Sequence, residues 1–144
     1  MSNVKQSRRS AREAVLQALY AIEVGKETKS KALKDILKRE SRNHEAKNFI
    51  TELFNASLSN REWCEDQIKS RLNNWEFNRV AILDRLLLIV AIAEIFFIDT
   101  VPPKVSISEA IQIAKKYSTE DSSAFVNGVL DNIYKSVAKE KQPT

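Results

Sequence analysis

The chain has 144 residues and a formal net charge of +4, with two glycines (Gly25 and Gly128), three prolines, one cysteine (Cys64) and one histidine (His44). That length suits one domain with a core of its own, and so few turn formers favour helices joined by short loops, an all-α fold. The same scarcity excludes a phosphate-cradling glycine loop, a dinucleotide fingerprint, a zinc site of the Cys/His kind and an internal disulfide.

The first helix is expected from about Ser7 to Val24, with Gly25 as its stop. Ala11, Val15, Ala18, Leu19 and Ile22 recur at helical spacing and mark its core face. Lys5, Arg8, Arg9 and Arg12 fall on one side of the helical wheel, and Leu16 and Tyr20 extend that side. A second helix covers about Ser30 to Arg42, with Leu33, Ile36 and Leu37 inward and Lys31, Lys34 and Lys38 as a solvated stripe. From about His44 to Leu72 there is neither Gly nor Pro, and the apolar stripe continues through Cys64, so one long helix of some 28 residues is expected, about 42 Å. NNWEFNR (73–79) reads as a hinge, with Trp75 and Phe77 as core anchors.

LLLIVAIAEIFFI lies within a helix from about Val80 to Ile98, too short and too interrupted by Glu94 to span a membrane. DTVPPK ends it, because two prolines cannot continue a helix. Ser106 is expected to start the next helix, with Ser106 and Glu109 as a capping box, ending near Tyr117. A last helix follows from about Ser122 to Lys139, and KEKQPT closes the chain loosely. Gly128 sits inside that helix, where close approach of another helix is the expected compensation.

Chemistry finds little to stand on. His44 lies in the polar run ESRNHEAKN, and Glu65-Asp66 and Glu120-Asp121 are adjacent acids in polar surroundings, so no catalytic group, metal or cofactor is expected. The polar, basic opening is not a signal peptide, which points to a cytoplasmic protein. Charge placement is more informative. Residues 1–47 hold 12 of the 23 basic side chains but 6 of the 19 acidic ones, and from residue 48 onward acids outnumber bases, 13 to 11. Arg8, Arg9 and Arg12 stand at the positive end of a helix dipole, which disfavours cations. An incoming phosphate would reverse the sign, because guanidinium forks and free backbone N–H groups both suit it. A frayed basic tail without a ligand is the plain alternative.

RRSAREAVLQALY, the Asp84-Arg85 pair before an apolar helix, and VPPKVSISEAIQIAKKYSTEDSSAFVNGVLD together resemble the NusB family of bacterial transcription antitermination factors, over about Arg8 to Lys135. The resemblance implies two small helical bundles packed across each other, about seven helices, with subdomains of about residues 1–73 and 74–144. It implies a complex with the ribosomal protein NusE that binds boxA, a short single-stranded element of rRNA leader transcripts. With other Nus factors the complex modifies RNA polymerase to read through terminators, a role without catalysis. By position, Arg8, Arg9 and Arg12 match the family's arginine-rich RNA-binding start, with Lys5 just ahead, and Asp121, Ser122 and Phe125 match its second RNA-facing segment. Tyr20, Asp84 and Arg85 match the side facing the ribosomal protein.

Some positions depart from the family pattern. Ser10 stands where some members have arginine, Ile89 replaces an arginine, Ala93 a tyrosine, Ser108 an asparagine, Ser118 a glycine, and Ala124 a position often basic. Two other readings are a helper in ribosome assembly, like the NusB-like domain fused to rRNA methyltransferases, and a protein-interaction module whose basic start is incidental. The chain ends at Thr144 without a following α/β domain, so no methyltransferase is expected.

Overall fold

The apolar periodicity folds as expected into helices, and the places where they begin and end follow the capping side chains. In the structure, a computed structural model, residues 2–39, 43–72, 74–117 and 119–141 are described, with side chains for 8–39, 43–72, 76–117 and 119–136. The order is α1 (Ser2–Glu23), α2 (Lys29–Lys38), α3 (His44–Ser59), α4 (Arg61–Lys69), α5 (Asn74–Phe77), α6 (Ile82–Phe97), α7 (Pro103–Tyr117) and α8 (Glu120–Lys141), with no strand among the described residues.

Several boundaries differ from expectation, each for a local reason. α1 ends at Glu23 and the chain leaves through Gly25, where a Cβ would lie 2.8 Å from the Ala21 carbonyl oxygen. The left-handed residue of this turn is Lys26, φ 58°, whose ammonium also reaches the Glu23 carbonyl at 3.2 Å. Thr28 and Asn43 cap α2 and α3 by accepting from the backbone N–H of Lys31 and Ala46. The expected long helix is two helices. Asn60 donates to the Ala56 carbonyl oxygen from its side chain at 2.9 Å as well as from its backbone N–H at 3.1 Å, and its backbone (φ −114°, ψ 19°) leaves the helical region, so the helix ends there.

α7 begins at Pro103, not at Ser106. Proline suits a first helical position, and the Pro102 carbonyl accepts from the N–H groups of Val105 and Ser106. Ser106 is therefore inside the helix and buried, and the expected capping box does not form. Thr119 caps α8, accepting from the Ser122 N–H at 3.2 Å, so the helix starts at Glu120, two residues ahead of the expected Ser122. The expected hinge contains the four-residue α5; Phe77 is buried, while the side chain of Trp75 lies outside the described ones.

α1, α2 and α3 pack on one another, and so do α6, α7 and α8. α6 also meets α1, α3 and α4, and nine successive residues from Leu86 to Glu94 are all buried. A helix apolar all round belongs in a core. Both sets of helices share one continuous apolar cluster, which includes Cys64. Burial pushes the Cys64 thiol up to about 12, so it is an inert core side chain. Among the described residues no helix is long and apolar enough to cross a membrane, and no group of three potential metal ligands gathers.

Gly128 does not mark a close helix contact. It is exposed, and a Cβ there would meet nothing within 4 Å; nothing in the structure explains the residue. Gly128→Ala is accordingly expected to stabilise the protein by about 1 kcal/mol, measured as a higher urea midpoint at unchanged slope.

Candidate nucleic-acid interface

The acids that match the arginines of α1 come from distant helices. Arg12 Nε and Nη2 donate to the two carboxylate oxygens of Glu94 on α6, both at 2.7 Å. Ser106 Oγ on α7 donates to the same carboxylate at 2.9 Å. Arg9 forks onto Glu109 of α7 at 2.7 and 2.9 Å, and Arg12 Nη1 lies 3.6 Å from Glu109. Glu109 also holds the Arg9 guanidinium above its usual pKa, chiefly through this hydrogen bond. Arg8 donates to Glu45 of α3 at 2.8 Å, and the Arg8 and Arg12 guanidiniums both lie over the Phe49 ring, 4.7 and 5.3 Å from its centre.

Burial separates these arginines. Arg12 is 4% exposed, with Glu94 at 1% and Glu109 at 2%, so it is a core residue and not part of the surface where an RNA contact was expected. It clamps α1 to α6 and α7 instead. Arg8 and Arg9 keep partly exposed side chains beside it. The side chain of Lys5 lies outside the described ones, as does Ser118.

The second expected segment sits elsewhere. Ser122 Oγ on the first turn of α8 donates to the Asp84 carboxylate on the first turn of α6 at 2.9 Å. Asp84, Asp121, Ser122 and Phe125 line a groove of about 490 Å³ with Leu72, Glu76, Arg79, Val80 and Ala81. Phe125 is half-buried, packed against the core on one side and lining this groove on the other. Asp84, expected on the protein-partner side, thus lies beside the residues expected to face RNA. Its neighbour Arg85 lies over the Phe77 ring at 5.7 Å, and its buried Nε has no hydrogen-bond partner among the described residues. Tyr20 is 41% exposed, one turn before Glu23. Arg61 bonds to Glu23 and holds its carboxyl below the usual carboxylate range, with Arg85 near enough to contribute.

The arginine end and the Phe125 groove do not coincide. Glu94 and Asp84, which anchor them, are ten residues apart on α6, about 15 Å along its axis. Between them runs the side-by-side contact of α1 and α7, from Arg9 and Glu109 to Gln17 and Tyr117. A groove of about 410 Å³ there is lined by Arg9, Glu13, Gln112, Ile113, Lys115 and Lys116. Sequence reading passed over Lys115 and Lys116. Their position in the last turn of a helix, where the dipole favours cations, gives them an ordinary explanation.

The departures from the family pattern divide the same way. Ile89 and Ala93 are fully buried, whereas Ser108 and Ala124 are exposed.

Comparison with known proteins shows the family and the fold. A sequence model of the NusB family matches residues 9–135. A transcription antitermination protein NusB of Chloroherpeton thalassium is 48% identical over 132 residues, which is 91% of this chain and 63% of that relative. The chain thus spans less than two thirds of that protein's length. Among solved structures, NusB of T. maritima superposes with a TM-score of 0.82 at 38% identity, over 89% of this chain and 90% of the other. A chain from a complex of antitermination factors NusB and NusE with dsRNA superposes at 0.82 with 25% identity, covering 91% of this chain and 98% of its own length.

Proposed function

The chain belongs to the NusB family, and from that premise we propose that it is a transcription antitermination factor. In this reading it binds boxA-type single-stranded RNA of rRNA leader transcripts together with the ribosomal protein NusE, and promotes read-through by RNA polymerase with other Nus factors. The work is done by binding, without a chemical step, in the cytoplasm. The observation that carries the reading is the family match over residues 9–135, joined to the likeness to a chain from a solved complex of NusB and NusE with dsRNA.

The residues divide into three groups in this proposal. Arg8 and Arg9 offer guanidinium edges to phosphates, with Lys5 ahead of them, while Arg12 holds α1 in place through Glu94. Asp121, Ser122 and Phe125 receive a base in the groove at the start of α8, where an aromatic face suits an unpaired base. Tyr20 and Arg85 face the ribosomal protein, while Asp84, expected on that side, holds Ser122 from within the fold, and an acceptor from that partner would satisfy the Arg85 Nε. Two helical subdomains meeting near residue 73 belong to the same proposal.

Binding of a labelled boxA-type RNA, its scrambled version and its duplex form, with and without the partner, tests it. Phe125→Ala is expected to weaken binding of the single strand by about 1–3 kcal/mol. Arg8→Gln should reduce the salt slope by about 0.7. Equal affinity for boxA and scrambled RNA, or no gain from the partner, would overturn the reading. A second reading, a protein-interaction or ribosome-assembly module with only non-specific RNA affinity, is favoured by the arginines' carboxylate partners within the fold.

A further inference from the structure

The seam between α1 and α7 carries an aromatic ring among cations that no step above uses. Tyr117 is 38% exposed at the end of α7. Its hydroxyl donates to the Glu13 carboxylate at 2.7 Å and accepts from Gln17 Nε2 at 3.5 Å, so the ring is held with one side outward. Lys116 Nζ lies 5.4 Å from the ring centre and donates to the same Glu13 oxygen at 2.8 Å. Arg39, just past α2, donates to the Gln17 side-chain oxygen and joins the same face. Lys115 has no acid partner among the described residues and lines the groove beside Arg9.

Glu13 is the carboxylate that Tyr117 and Lys116 share, and its side chain is only 12% exposed against 61% for Lys116. The carboxylate therefore lies beneath, orienting the ring and one ammonium, and the outer face is cationic. The seam also joins the two separated ends of the interface, since α7 runs from Glu109, which holds Arg9, to Tyr117, three residues before α8 begins. A strand that touches both Arg9 and Phe125 can run along it.

We propose that this seam is the middle stretch of a single-stranded RNA path, in which Tyr117 stacks on a base while Lys115, Lys116 and Arg39 hold flanking phosphates. The inference rests on the reading of the chain as an RNA-binding factor and adds a contact surface to it. Stacking rings set among cations hold single strands with little regard to base identity, which suits a connecting stretch.

The test uses the full chain with its ribosomal partner and a labelled boxA-type single strand across a salt series. Lys115→Gln with Lys116→Gln is expected to lower the slope of log K against log salt by about 1.4 and to weaken binding about tenfold near physiological salt. Tyr117→Leu should weaken binding roughly fivefold or more, with Tyr117→Phe close to the unchanged protein. Lys29→Gln with Lys34→Gln removes the same charge from α2 and should leave the slope nearly unchanged.

If the seam pair behaves like the α2 pair, the inference is overturned. So it is if Tyr117→Leu lowers the unfolding midpoint alone, or if the seam variants lose the protein partner and not the RNA. Loss of affinity in Phe125→Ala with none in the seam variants removes the seam only. Failure of the unchanged protein to bind RNA beside its partner removes the functional reading as well.

Discussion

Arg12→Ala is expected to lower the unfolding free energy by about 3–5 kcal/mol, because it leaves the Glu94 carboxylate charged in the core with the Ser106 hydroxyl beside it. Urea denaturation followed by circular dichroism measures this. A buried ion pair gains little over a well-packed apolar pair, so the size of the effect comes from breaking it rather than from having it. Arg12→Met with Glu94→Leu is therefore expected to recover most of the loss, and the cycle of single and double variants should show strong coupling. Arg12→Lys keeps the charge but loses the two-pronged fork and should fall between. A cost under about 1 kcal/mol for Arg12→Ala would mean the pair is hydrated in solution and would return Arg12 to the surface.

Ile89→Arg, which restores the residue implied by family resemblance, should destabilise by at least about 3 kcal/mol. Ile89 is fully buried among the apolar side chains of α6, where a guanidinium has to find a carboxylate or remain unpaired. Ile89→Val changes only volume and should cost about 0.5–1.5 kcal/mol. The comparison separates charge from packing in one urea series. If Ile89→Arg cost no more than Ile89→Val, the new side chain would be reaching Asp84 or Glu94, each five residues away on the same helix.

The all-helical architecture was legible because its signal is local. Apolar residues at helical spacing, Gly25 and a proline pair define most of the elements. What misled was capping. A polar Asn60 in an unbroken apolar stripe gave no sign of ending α3, yet its side chain joins its backbone N–H at the Ala56 carbonyl and its backbone leaves the helical region. Ser106 and Glu109 had the spacing of a capping box, but the prolines before them supply the helix start, which frees both for contacts with α6 and α1.

The arginine-rich start shows the same limit more sharply. Reading outward from Arg12, the nearest acid is Glu13, and an external anion is the natural inference. The acids that answer Arg12 and Arg9 lie 82 and 100 residues away in sequence, and no local pattern announces them. The segment around Phe125 was legible only by resemblance, since its aromatic ring has helical spacing that suits a core equally well.

That wiring has a consequence for how the protein is made. Arg9 leaves the ribosome 100 residues ahead of the carboxylate it grips, and Arg12 precedes its own by 82. At about 5–20 residues per second, α1 waits roughly 5–20 s before the last carboxylate that pairs with its arginines exists. Arg8 waits less, for Glu45 follows it by 37 residues. A newborn chain therefore presents its guanidiniums uncompensated beside the polyanionic surface of the translating particle. The clamp on α1 can close only after α7 has begun to emerge, making one of the first helices to be synthesised one of the last to be locked.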